Sequence, residues 1–163
     1  MHQEFLETAR ALAGTARRKP RQAELRRAVS TAYYAMFHAL CEMCANALNG
    51  TRSPDRCERA WVQTYRALEH NLAAEACGRC VRGSSKGNNY KLPKPVRDFA
   101  AYFVSMQEHR YRADYSPSAV NYKRDQVVGL IDGAEKAIKR LRTTPRKHKA
   151  AFAALLLFKE RNI

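Results

Sequence analysis

The sequence predicts an all-α fold: an antiparallel bundle of four to five helices, with an extra helix at its C-terminal end. Three observations lead there. Helix-forming Ala, Leu, Arg and Lys dominate, while only 7 Gly and 6 Pro punctuate 163 residues. Apolar residues recur at spacings of three and four along most of the chain. The breaks between these stripes fall at Pro, Gly, Asn and Ser, the residues that stop and cap helices. The length suits one domain, residues 1–163, which buries roughly 70% of its unfolded surface without metal or disulfide staples.

The elements follow in order. Phe5, Leu6, Ala9 and Leu12 share a face of a first helix over Gln3–Arg17, which the basic run up to Pro20 interrupts. Leu25, Val29, Ala32, Met36, Leu40, Met43 and Ala47 define a long second helix over Arg21–Leu48, widened by Tyr33, Phe37 and Cys44 and closed by Asn49-Gly50. Ser53-Pro54 reads as cap and first turn of a third helix carrying Trp61, Tyr65 and Leu68, continuing with a kink to Cys77. The Gly-, Ser- and Asn-rich stretch Arg82–Leu92 reads as a flexible surface loop. Val96, Phe99, Ala100, Phe103 and Met106 mark a fourth helix over Pro93–Tyr111, followed by an irregular segment over Ala113–Asn121. Val127, Ile131, Ala134, Ile138 and Leu141 mark a fifth over Lys123–Leu141. Thr144-Pro145 opens a last helix through Phe158. The bundle core is expected over 21–141, with a basic C-terminal extension over 142–163.

Charge is the strongest compositional signal. The formal net charge is +15 and the isoelectric point about 10.0, a balance that attracts polyanions, RNA first. The longest apolar run, Ala150–Phe158, is too short to span a membrane, which takes roughly 18 residues. Met1-His2-Gln3-Glu4 lacks the basic start and apolar middle of a secretory signal, so the expected address is the cytoplasm. Five cysteines, an odd number, then read as reduced thiols.

Two segments carry a resemblance. Arg27-Ala28-Val29-Ser30-Thr31-Ala32-Tyr33-Tyr34-Ala35-Met36-Phe37-His38 resembles the second-helix signature of HEPN-domain proteins, and Arg110-Tyr111-Arg112-Ala113-Asp114-Tyr115 resembles the segment before their last bundle helix. The similarity spans about Arg21–Leu141. It implies a bundle that commonly dimerises. Its relatives would be metal-independent ribonuclease toxins, often paired with a nucleotidyltransferase-type antitoxin, and non-catalytic RNA- or partner-binding modules. The ribonuclease members carry Arg, four to six residues, then His near this place. Here Asp114 stands where that histidine fits. Arg142 to His148 has the spacing but crosses the Thr144-Pro145 boundary. The resemblance therefore implies an RNA- or partner-binding module of a toxin–antitoxin or defence system without the standard ribonuclease motif. A metal-independent ribonuclease with a rearranged site and a structural interaction bundle stand as alternatives.

Candidate site residues follow. Any catalytic chemistry falls to His109, Arg110, Asp114 and Tyr115, because imidazole and guanidinium supply the base and cation that RNA cleavage needs. Neighbouring helical side chains diverge by about 100°, so His109 and Arg110 are expected to meet across a dimer axis rather than within one chain. Asp114 is expected to orient Arg110, Glu108 to pair with Arg112, and Tyr115 to plug the bundle end as the bland alternative. Arg110, Arg112, Arg140, Arg142, Arg146, Lys147 and Lys149 are the expected RNA contacts. His38 and His70 read as isolated. Cys41-x-x-Cys44 and Cys77-x-x-Cys80 have zinc-site spacing, but Cys44 falls on the core stripe of a helix and the thiols read as buried hydrophobes, with no metal and no cofactor expected.

Overall fold

The structure, a computed structural model, describes residues 1–163 apart from 16–17, 53, 55, 83–90, 117–120 and 160–163. The described residues form helices and connections, with no strand. Among the described residues there are seven helices: α1 (His2–Ala13), α2 (Gln22–Asn49), α3 (Glu58–Arg66), α4 (His70–Arg82), α5 (Lys94–Tyr115), α6 (Arg124–Thr143) and α7 (Arg146–Leu157). The all-α bundle is as the sequence predicts. The count of four to five plus one is corrected to seven.

Helix α2 is the axis of the bundle. It spans about 42 Å at 1.5 Å per residue and packs against α1, α3, α5, α6 and α7. Burial therefore surrounds most of its circumference: Val29, Ala32, Tyr33, Met36, Leu40 and Cys44 are all inaccessible. Small residues (Ala28, Ala32, Ala35, Ala45) let neighbouring helices approach it closely. Its start is fixed by Glu24, whose carboxylate accepts the Arg21 N–H at 2.8 Å, and its end by Gly50 at φ 81°. Helix α1 stops at Ala13, four residues earlier than expected, because Gly14 takes φ 74°. Arg10 ties α1 to α6 through Asp132 and Glu135.

The third expected helix is two helices. Trp61, Tyr65 and Leu68 continue as a stripe to position 72, yet Leu72 is exposed and the buried set is Ala73, Ala76, Cys77 and Cys80. The stripe slips by one residue, about 100° of helix, so one straight helix would expose half of it. The chain breaks at Ala67–Glu69 instead, with Leu68 buried in the bend. The expected cap Ser53, the body of the expected loop at 83–90 and Pro117-Ser118 lie outside the described residues. Helix α5 runs to Tyr115, beyond the expected end at Tyr111, so Ala113–Tyr115 is helical rather than irregular.

Helix α7 belongs to the core. Phe152, Ala153, Leu155 and Leu156 are buried against α2 and its neighbours, while Phe158 stays exposed. Gly133 marks a close approach of another kind. A Cβ there would stand 2.1 Å from the Tyr102 hydroxyl, which donates to the Leu130 carbonyl. No helix among the described residues is long and apolar enough to cross a membrane.

Candidate functional site

The two segments that carry the resemblance meet in the fold, the first half of α2 against the last turns of α5. Arg26 of α2 donates from Nε to the Ala113 carbonyl at 2.7 Å and from Nη2 to the Ser116 carbonyl at 2.9 Å, capping the C-terminal end of α5 with a cation. One turn further along α2, Ser30 donates from Oγ to Asp114 Oδ2 at 2.9 Å. The same Asp114 oxygen accepts Arg110 Nε at 3.2 Å, and Arg110 Nη2 reaches the Tyr34 hydroxyl at 3.3 Å. The Arg110 guanidinium lies 5.5 Å from the ring centres of Tyr33 and Tyr34 and 5.8 Å from that of Tyr115. Burial works against its charge, but Tyr34, Tyr115, Tyr33 and Asp114 more than offset this and hold its pKa above the ordinary value. The Arg110 side chain is only 17% exposed and that of Asp114 22%.

A histidine that sequence reasoning left isolated completes this cluster. His70, the first residue of α4, shares a hydrogen bond between Nδ1 and the Tyr33 hydroxyl at 2.8 Å. Its ring stacks on Phe37 at 3.8 Å and meets Tyr34 edge-on. Burial, then the charge of Arg110 and the nearby His38, lowers its pKa, so at neutral pH it is an uncharged imidazole. His38 continues the stack: it lies flat on Phe5 and bonds the Tyr65 hydroxyl at 2.7 Å. Burial lowers the His38 pKa and pushes that of Tyr65 up to about 12. One chain thus brings an imidazole and a guanidinium to the same two tyrosine rings, from residues 40 positions apart in sequence.

The other candidates divide. His109 turns away from Arg110, as the 100° rule requires, and packs beside buried Tyr122, whose hydroxyl donates to the His109 carbonyl at 3.2 Å. Tyr115 does not plug the bundle end. It is 61% exposed and lies 5.3 Å from Tyr111, itself 66% exposed, one turn back on α5. Arg112 is exposed beside them, and no ion pair joins it to Glu108. Arg140 is drawn to Asp98 at 3.6 Å. Lys147 is exposed.

Arg142, Arg146 and Lys149 line a second surface, a cleft of about 820 Å³ between the C-terminal half of α2 and the junction of α6 with α7. Arg52, which the sequence did not single out, joins them. None of these four is ion-paired among the described residues. The acid in the cleft, Glu42, is already taken by His2 at 2.9 Å, a bond that with Arg142 and the N-terminus holds its carboxyl below the usual range.

The cysteine spacing does not make a metal cage. Among the described residues no group of three or more His, Cys, Asp or Glu is placed to hold a metal ion. Cys41, Cys44, Cys77 and Cys80 are buried thiols of the core, and burial raises all four pKa values, Cys41 to about 12 and Cys80 to about 11. In comparisons with protein-family models, curated proteins and solved structures, the chain matches none.

Proposed function

We propose that the chain is a HEPN-type module that binds RNA, with the exposed end of α5 as its base-stacking surface. The observation that supports this most is the pair of exposed rings, Tyr111 and Tyr115, one turn apart and flanked by Arg110 and Arg112. Exposed aromatic faces beside cations are what single-stranded RNA stacks on, at about 1–3 kcal/mol per base. Anisotropy titration of a labelled single-stranded RNA tests it. The Tyr111→Ala, Tyr115→Ala double variant is expected to bind about tenfold or more weakly. Unchanged affinity contradicts the reading. The resemblance further implies a homodimer, a nucleotidyltransferase-type antitoxin as protein partner and a toxin–antitoxin or defence setting. Light scattering at micromolar concentration, read against twice 18.6 kDa, tests the first of these.

One observation favours a second reading, a metal-independent ribonuclease with a rearranged site. His70 and Arg110 share the rings of Tyr33 and Tyr34, which supplies within one chain the base and the cation expected only across a dimer. Its Nδ1 is committed to Tyr33, which leaves Nε2 for proton transfer. Incubation with total RNA in the presence of a chelator is the test. Cleavage lost in His70→Ala supports it; cleavage that survives that change, or none by the unaltered protein, removes it.

A further inference from the structure

The cleft at the C-terminal half of α2 is built differently from the Arg110 cluster, roughly 20 Å away along the same helix at 1.5 Å per residue. Its cations form no ion pair among the described residues, although the charge of Arg142 acts on Glu42. Arg142 lies in the last turn of α6, Arg146 opens α7 and Lys149 lies one turn on, its Nζ donating one of three hydrogens to the Arg142 carbonyl at 3.1 Å. The first turn of α7 adds the positive end of a 12-residue helix on the same side. Among the described lining residues Glu42, held by His2, is the acid.

The α2 wall is of another kind. Met43, Ala47 and Leu48 line the cleft as an apolar floor, and the amides of Asn46 and Asn49 line it with them. Trp61 Nε1 can only donate, and it donates to Asn46 Oδ1 at 2.8 Å, so the Asn46 orientation is fixed and its Nδ2 is a free donor. Asn49 Nδ2 donates to the Ala45 carbonyl and to Thr64 Oγ1 at 2.8 Å, so its Oδ1 is a free acceptor. Apolar side chains with one donor and one acceptor beside them suit the face and edge of a nucleobase. Several unpaired cations at the far side suit a phosphate. The volume of about 820 Å³ is in the range of small-ligand sites and too large for phosphate alone.

We propose that this cleft takes a terminal nucleotide bearing a 5′-phosphate, with the phosphate on Arg142, Arg146 and Lys149 and the base against Asn46, Asn49 and the apolar floor. A terminal phosphomonoester carries close to two charges at pH 7 and an internal diester one, so gathering unpaired cations at one point selects the end of a strand. The chemistry is that of a nucleoside 5′-monophosphate, whether free or at an RNA end. The end-binding form rests on the RNA reading above.

The test compares one short RNA with a 5′-phosphate and with a 5′-hydroxyl, alongside AMP, adenosine and inorganic phosphate. Calorimetry gives the affinities, and the alkylation rate of Cys57, the exposed cysteine that lines the cleft, reports occupancy there. The 5′-phosphorylated strand is expected to bind about tenfold more tightly than its hydroxyl twin and to slow alkylation of Cys57. The Arg142→Ala, Arg146→Ala variant is expected to lose that preference, binding the phosphorylated strand no more tightly than its hydroxyl twin. If AMP binds and protects Cys57 but the two strands bind alike, the source is a free nucleotide and the end-binding form is overturned. If inorganic phosphate protects as well as AMP, or adenosine as well as AMP, the nucleotide assignment is overturned. Equal binding of both strands with no protection by AMP overturns the site while leaving the RNA reading standing. If neither strand binds, both fall unless AMP alone protects Cys57.

Discussion

The two halves of α2 carry polar residues to opposite ends. Around the Arg110 cluster every functional-looking group has a partner: Arg110 has Asp114 and three tyrosine rings, Asp114 has Ser30, His70 has Tyr33, and the neighbouring His38 has Tyr65. In the second half the cations and the two asparagine amides keep free valences around an open cleft. The lesson is that a paired guanidinium and an unpaired one have different roles even on a chain with charge +15. Arg110 is spent largely on positioning the end of α5, and so the exposed Tyr111 and Tyr115. Arg142, Arg146 and Lys149 are available to a ligand.

Changes at the paired end should therefore cost stability, and changes at the cleft should not. Tyr33 lies at the centre of the first cluster, fully buried, so Tyr33→Ala is expected to lower unfolding free energy by about 3–5 kcal/mol. Arg110→Ala leaves Asp114 with Ser30 alone and empties the space between three rings. A loss of about 2 kcal/mol is expected in urea unfolding. A loss near zero would show that Arg110 is as free as the cleft cations and would undo the comparison. Smaller still, pH should separate the halves. Burial lowers the pKa values of His38, His70 and His109, so the unfolded chain takes up protons that the folded chain refuses. Stability is then complete above the ordinary histidine range, near pH 6.5, and declines as pH falls below it. The depressed carboxyls Glu24, Glu42 and Asp98 add their own loss only at lower pH. Melting followed from pH 7.5 to 5.5 should show the decline, and His70→Gln should reduce it. At the cleft, Arg146→Ala is expected to change unfolding free energy by no more than about 0.5 kcal/mol.

The sequence shows the fold wherever an apolar stripe keeps one phase. Helices α2, α5 and α6 were legible within a few residues because their stripes run unbroken between caps. The break between α3 and α4 was not, because no Pro or Gly marks it; a one-residue slip from Leu68 to Ala73 does. The same holds for the site. Arg110 with Asp114 is an i,i+4 pair on one helix and could be read directly. His70 could not, since its place depends on how α4 packs against α5 and α2. Ser30 gave a faint signal, a hydroxyl next to Val29 of the core stripe, which the fold buries and Asp114 satisfies. The free amides of Asn46 and Asn49 were invisible, because what frees them is the set of bonds their other atoms make to α2 and α3.

The central claim, that the unpaired cations are the ones that meet phosphate, is tested most directly by the salt dependence of RNA binding. Each phosphate contact to a single strand contributes about −0.7 to the slope of log affinity against log salt. Arg142, Arg146 and Lys149 share one terminal phosphate, so replacing all three by alanine should flatten the slope measured with a 5′-phosphorylated strand by about 0.7 while the unfolding midpoint stays where it was. A slope unchanged by the triple substitution would contradict the account.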